Sequence, residues 1–85
     1  MKLVIQSDDN EYHIYLRQEH SMTANCTRIS HALGVSYDTL IELLLQNGAQ
    51  RSTPVATPHF LDIDTALSAT KVLEPYLIMN QLVGG

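Results

Sequence analysis

The chain of 85 residues has no tryptophan and only one cysteine, Cys26. A lone cysteine cannot form an internal disulfide, which is typical of proteins from a reducing compartment. No apolar run approaches the roughly 20 residues that a helix needs to cross a membrane. Met1 leads directly into Lys-Leu-Val-Ile-Gln, without the long apolar segment of a signal peptide. We therefore expect a cytoplasmic protein that does not engage a membrane.

Positive charge is also scarce. Five Lys and Arg residues stand against nine Asp and Glu residues, which gives a net charge of −4. The basic residues are scattered along the chain: Lys2, Arg17, Arg28, Arg51 and Lys71. Because nucleic-acid-binding proteins usually present a clustered basic face, this pattern disfavours direct DNA binding.

The sequence lacks any constellation typical of catalysis. The histidines His13, His20, His31 and His59 are too widely spaced for a zinc motif, and Cys26 is the only thiol. The carboxylate pair Asp8-Asp9 falls in a predicted turn, and Asp62 and Asp64 fall at a predicted helix start, where aspartate is favoured for structural reasons. There is no glycine-rich phosphate loop and no nucleophile elbow. We predict a protein that is not an enzyme and has no catalytic, cofactor-binding or metal-binding residues.

What is present is an ordinary apolar content of 45%, enough for one small domain spanning residues 1–85. The first 17 residues predict a β-hairpin with a turn at Ser7-Asp8-Asp9-Asn10. That turn pairs Ile5 with Tyr12 and Leu3 with Ile14. One face is then wholly apolar and consists of Met1, Leu3, Ile5, Tyr12, Ile14 and Leu16. The other face is mostly polar.

A pair of helices is predicted over residues 22–47. The first carries an apolar stripe formed by Met22, Cys26, Ile29 and Leu33. Gly34 suits the left-handed position that ends a helix, and Ser36 suits the cap of the next one. The second helix is apolar over most of its circumference and stops at Asn47-Gly48. One continuous helix through Gly34 is the alternative, but Gly-Val-Ser favours a break.

The remaining chain is predicted as a loop over 49–58 and a strand followed by a helix over 59–83. Either Asp62 or Asp64 can cap that helix. Pro75 leaves residues 76–83 open, as a resumed helix or a final strand. The fold class is therefore α+β in the order β-β-α-α-β-α. We expect the apolar hairpin face to pack on the last helix and on the second, through Leu40, Leu43 and Leu44.

The stretch Leu33-Gly34-Val35-Ser36, followed by Thr39-Leu40, resembles the helix-turn-helix of bacterial repressors of the LacI type. The resemblance covers residues 29–40. It implies that Ser36, Tyr37, Asp38, Thr39 and Glu42 lie on the outward face of a recognition helix. No Lys or Arg occurs between Arg28 and Arg51. Phosphate contacts require cations, so the acidic residues of this helix count against DNA binding.

The hairpin start, the helix after it and the terminal Gly84-Gly85 resemble ubiquitin-like and sulfur-carrier proteins of the β-grasp fold. In those proteins a last strand leads into the diglycine, whose carboxylate is adenylated by a partner. The resemblance implies that residues 76–83 form a strand. A plain glycine tail is the alternative.

The segment from His59 onward, together with the size and acidity of the chain, resembles small proteins of phages and mobile elements, anti-CRISPR proteins among them. The resemblance implies a non-catalytic protein, without a cofactor, that binds and inhibits or regulates another macromolecule. The expected partner is a host or regulatory protein, or a nucleoprotein complex. The partner-binding residues predicted from the sequence are Asp8, Asp9, Glu11, His13, Tyr15, Arg17, Tyr37, Asp38 and Glu42. The apolar C-terminal segment further suggests a homodimer that buries Leu77, Ile78 and Leu82.

Overall fold

Three antiparallel strands come first in the chain and three helices follow. The computed structural model describes residues 1–83, so the predicted role of Gly84-Gly85 lies outside the described residues. The strands are β1 (Lys2–Asp8), β2 (Glu11–Gln18) and β3 (Ser21–Thr23), and the helices are α1 (Cys26–Leu33), α2 (Tyr37–Gln46) and α3 (Ile63–Val83). The strands form one sheet in the order β1-β2-β3. The predicted α+β class is confirmed.

The hairpin turn is tighter than the sequence suggested. Asp8 pairs with Glu11, which leaves Asp9 and Asn10 as a two-residue turn with φ of 49° and 65°. Two consecutive positive φ angles define a type I′ turn, and Asp and Asn tolerate this conformation better than most residues. The predicted four-residue turn is therefore wrong.

The tighter turn moves the strand register by two residues. Ile5 pairs with Ile14 and Leu3 with Leu16, instead of the predicted partners Tyr12 and Ile14. Because side chains alternate with a period of two, a shift by two leaves each residue on the same face. The segregation of apolar and polar faces is thus as predicted, although the pairing is not.

A third short strand replaces the start of the predicted first helix. Met22 lies in β3, where it pairs with Arg17 of β2. The helix begins only at Cys26, because the Asn25 side chain accepts hydrogen bonds from the backbone of Thr27 at 2.8 Å and Arg28 at 3.3 Å. Such a cap fixes a helix start. The helical spacing of Met22 was therefore coincidental.

The break between α1 and α2 is as predicted. Gly34 has φ of 71° and donates its N–H to the carbonyl of His31 at 3.2 Å. The Ser36 hydroxyl accepts from the N–H of Thr39 at 3.1 Å and caps α2. α2 ends at Gln46, directly before the predicted stop at Asn47-Gly48.

The predicted strand at 59–63 is reduced to two bridging residues. Phe60 exchanges two backbone hydrogen bonds with Tyr12, at 2.7 and 2.8 Å. It thereby pairs with β2 along the edge that the short strand β3 does not reach. His59 pairs in the same way with Gln50. The segment ends early because Asp62 caps α3, accepting from the N–H of Thr65 at 2.9 Å.

The apolar face of the sheet packs mainly on α3 and α1, and α2 packs against α1. Leu40 and Leu44 of α2 share the core with the hairpin and line one small cavity together with Ile14. The packing of the hairpin on α2 is thus as predicted for these two residues, whereas Leu43 is only partly buried. The largest fully buried side chains are Phe60, Leu16, Leu40, Leu73 and Ser30. The Ser30 hydroxyl donates to the carbonyl of Thr27, so its burial leaves no polar atom unpaired.

α3 runs without interruption through Pro75 to Val83. Residues 76–83 are thus helical, and the last strand implied by the β-grasp resemblance is wrong. Within residues 1–83 no helix combines the length and apolarity needed to cross a membrane.

Candidate binding surfaces

The outward face of the hairpin brings several predicted binding residues together. Glu11, His13, Tyr15 and Arg17 alternate along β2 and therefore share one face of the sheet. Arg17 is exposed and the other three are half-buried. Asp8 and Asp9 are exposed at the turn end of the same hairpin.

A residue absent from the predicted set completes this face. The two carboxylate oxygens of Glu11 contact different imidazoles, with Oε1 at 3.3 Å from Nε2 of His13 and Oε2 at 3.6 Å from Nε2 of His59. The centroids of the two rings are 6.0 Å apart. The pairing of Tyr12 with Phe60 brings His59 beside His13, because antiparallel neighbours lie on the same face. Sequence reasoning missed this contact because the two histidines are 46 positions apart in the chain.

This cluster consists of one carboxylate and two imidazoles. Each imidazole contacts a separate oxygen of Glu11. Within the part of the chain that the structure describes, no three or more His, Cys, Asp or Glu side chains are arranged to hold a metal ion. The carboxylate of Glu11 can orient His13 through a hydrogen bond of 3.3 Å, whereas His59 lies beyond hydrogen-bond distance at 3.6 Å.

The predicted residues of α2 form a separate surface. Tyr37, Asp38 and Glu42 are all exposed, and the Glu42 carboxylate accepts from the side chain of Gln46 at 3.3 Å. These residues face solvent, whereas Leu40, Ile41 and Leu44 on the other side of α2 are buried. The two sets of predicted residues are thus carried by different parts of the molecule.

An apolar groove lies between the second half of α3 and the end of α1. Its volume is about 320 Å³, and its walls are formed by Leu33, Gly34, Pro75, Tyr76, Met79 and Asn80. Tyr76 and Met79 are 41% and 64% exposed. We call this feature the α1–α3 groove. Its sequence signal was the apolar C-terminal segment of α3, whose large side chains are spread over more than one face and exceed what one core contact can bury.

The groove is held in shape by a side chain from α3. The Asn80 amide donates to the carbonyl of Ala32 at 2.9 Å and to that of His31 at 3.3 Å. The last carbonyls of a helix have no partner within the helix, so this amide satisfies them. The two walls of the groove are therefore tied together.

The C-terminal half of α3 exposes most of its remaining apolar side chains. Ile78 is 58% exposed and Leu82 is 80% exposed, whereas Leu77 is only 5% exposed. The inclusion of Leu77 in a dimer surface was therefore wrong, because this residue faces the core of its own chain.

Cys26 lies in the core, where burial raises the pKa of its thiol, and the charge of Arg51 offsets this only in part. A raised pKa keeps the sulfur protonated at neutral pH, and the thiolate is the nucleophilic form. The side chain is thus suited to packing.

Comparison with protein families, curated proteins and solved structures finds no match to this chain. The local resemblance to a helix-turn-helix and the whole-chain resemblance to small phage proteins stay predictions. The function is accordingly inferred from the surfaces of the chain itself.

Proposed function

We propose that this protein acts without catalysis, by binding another protein and so inhibiting or regulating it. The observation that carries the proposal is the α1–α3 groove, where apolar side chains stay exposed beside a concave surface. An inhibitor of the anti-CRISPR kind, encoded by a phage, is the specific form that the whole-chain resemblance suggests.

The residue types at the groove support a protein partner. Tyrosine and methionine are enriched at the centres of protein interfaces, where they supply large contact areas. Methionine also adapts its shape to an irregular partner. Tyr76 and Met79 would form the rim of the groove, and the partner would insert an apolar side chain into the groove.

The groove is also organised before binding. Asn80 connects α3 to the end of α1, and Gly34 lies against Asn80 with no side chain of its own. A surface that is ordered in advance loses less conformational freedom on association. A groove with this fixed geometry should therefore bind a partner more tightly than a flexible apolar patch would.

The test is a site-specific photo-crosslinking experiment in lysate of the natural source. A photoreactive phenylalanine analogue replaces Tyr76 in one variant and Tyr15, on the hairpin face, in the other. We expect one protein to be captured from position 76, and then to bind the purified wild-type chain. Tyr76→Asp and Met79→Asp should each weaken that binding by about tenfold or more.

The matched controls are Tyr15→Ala and Arg17→Ala, which should leave the binding unchanged. Thermal unfolding of all four variants shows whether the fold is intact. Loss of binding in the hairpin variants alone would assign the function to the hairpin face. Normal binding by both groove variants, or a turnover catalysed by the purified protein, would overturn the proposal.

The turn between α1 and α2 favours a second candidate, DNA binding through α2. Three residues, Gly34, Val35 and Ser36, separate the two helices, as in helix-turn-helix motifs. The exposed acids Asp38 and Glu42 oppose an approach to phosphate. This candidate predicts duplex binding that falls steeply with salt and is lost in Tyr37→Ala, measured by fluorescence anisotropy. A wild-type chain that does not bind duplex DNA at low salt would eliminate it.

A further inference from the structure

One face of α3 carries six exposed side chains whose spacing is symmetric about the middle of the helix. They are Ile63, Leu67, Lys71, Glu74, Ile78 and Leu82. Successive members lie four, four, three, four and four residues apart, within a stripe about 100° wide on the helix. The four apolar members range from 39% exposed for Ile63 to 80% for Leu82. We call this surface the α3 stripe.

The chemical order of the α3 stripe is self-complementary. From either end it presents two apolar residues, then one charge, and the central charges are opposite in sign. Consider a second copy of α3 that runs antiparallel to the first. A two-fold axis that passes next to the peptide bond between Val72 and Leu73 relates the two copies. Lys71 then lies beside Glu74 of the second copy, Leu67 beside Ile78, and Ile63 beside Leu82.

The charges select the antiparallel arrangement. In a parallel pair, Lys71 would face Lys71 and Glu74 would face Glu74, and like charges on adjacent helices repel. Within residues 1–83 neither Lys71 nor Glu74 makes an ion pair. Both side chains are thus available to the second copy, in two symmetry-related pairs at the centre of the contact.

We propose that the α3 stripe is a self-association surface, through which two copies of this chain form a two-fold symmetric dimer with antiparallel α3 helices. A closed dimer of this kind uses the same patch on both copies, as the symmetric spacing requires. A helix of this length spans about 30 Å. Since specific interfaces bury at least about 1,000 Å² in total, a single helix face lies at the lower end, and the dimer should be reversible.

The dimer leaves the α1–α3 groove accessible. At about 100° per residue, Tyr76 and Met79 point about 170° and 110° away from the centre of the stripe, while Pro75 lies beside its edge. Self-association and binding at the groove are therefore separate properties, and each can fail without the other.

Charge exchange followed by sedimentation velocity tests the proposal. The wild-type chain should shift from monomer to dimer as its concentration rises into the submillimolar range. Lys71→Glu and Glu74→Lys should each weaken dimerisation by about tenfold, because every central pair becomes a like-charge pair. The double variant Lys71→Glu/Glu74→Lys should restore it. Tyr76→Ala, on the groove, should dimerise like wild type.

A wild-type chain that stays monomeric in this range would overturn the proposal, and so would a double variant that associates no better than either single one. Circular dichroism of all variants controls for loss of helix, since Lys71 and Glu74 are also neighbours along one helix.

Disulfide formation tests the antiparallel register directly. In the proposed dimer, equivalent copies of residue 67 are about 16 Å apart along the axis, whereas residue 67 adjoins residue 78 of the second copy. A mixture of Leu67→Cys and Ile78→Cys chains should therefore form the mixed disulfide. Disulfides formed by Leu67→Cys chains alone, in preference to the mixed species, would contradict the antiparallel arrangement.

Discussion

At the scale of single residues, Cys26 and Glu11 show how burial decides the role of a reactive group. Cys26 lies in the core beside Ile29 and Leu40, and burial raises the pKa of its thiol. Glu11 is more accessible, and its carboxylate is occupied by two imidazoles. The thiol therefore contributes to core packing, and the carboxylate contributes contacts at the surface.

We predict that the native Cys26 thiol reacts slowly with a disulfide reagent at neutral pH and rapidly once the chain is unfolded. The sulfur is both buried and protonated in the folded state, while the thiolate is the reactive form. Labelling kinetics in the presence and absence of denaturant measure this. Immediate labelling of the native protein would contradict the buried position.

The same thiol makes a prediction about alkaline pH. Its folded pKa lies above its unfolded value, so its contribution to the free energy of unfolding is complete below the unfolded pKa and declines as pH rises through the folded pKa. Urea unfolding across the alkaline range should show a loss of stability that is smaller in Cys26→Ala. Equal losses in both chains would mean that other groups cause the decline.

At the scale of elements, the turn at Gly34 joins two helices and also forms part of the contact with α3. A methyl group at this position would lie 2.8 Å from Oδ1 of Asn80, and φ is 71°. A non-glycine residue in this conformation costs about 1–2 kcal/mol before any clash is counted. The bond from Asn80 to Ala32 would also be displaced.

We therefore expect Gly34→Ala to lower the free energy of unfolding by about 2 kcal/mol. Asn80→Ala should cost about 1 kcal/mol for the lost hydrogen bonds. Because the alanine at 34 would clash mainly with Asn80, the double variant should cost less than the sum of the two single variants. Urea unfolding of the three variants tests this, and strict additivity would exclude the contact as the cause.

The sequence predicted those elements whose signals are local. Gly34 and Ser36 mark the break between α1 and α2, and the alternation of β2 identified its two faces. The errors involve choices that local patterns leave open. Asp9-Asn10 supports a two-residue turn as readily as a longer one, and both keep the same faces. The contact of His13 with His59, and the α1–α3 groove, depend on residues distant in sequence and so required the structure.

At the scale of the whole molecule, one core contains buried side chains from the sheet and from all three helices. Leu40 is completely buried in that core, so α2 cannot detach without exposing it. We predict a single cooperative unfolding transition, with coincident curves from circular dichroism and from tyrosine fluorescence. Hydrogen exchange that releases α2 well before α1 would show instead that α2 opens independently.

The bridge between Tyr12 and Phe60 has a consequence for the order of folding. It joins residues 48 positions apart. The widest pairing of the hairpin, Lys2 with Arg17, spans only 15 positions, and α1 and α2 are built from contacts within a few residues. Closing a long loop costs entropy before its contacts form, so distant pairings come late. Until Phe60 has paired, the edge of β2 near Tyr12 has no neighbouring strand. An unpaired strand edge can recruit a strand from another molecule. Aggregation during refolding should therefore begin at this edge and cease once Phe60 has docked.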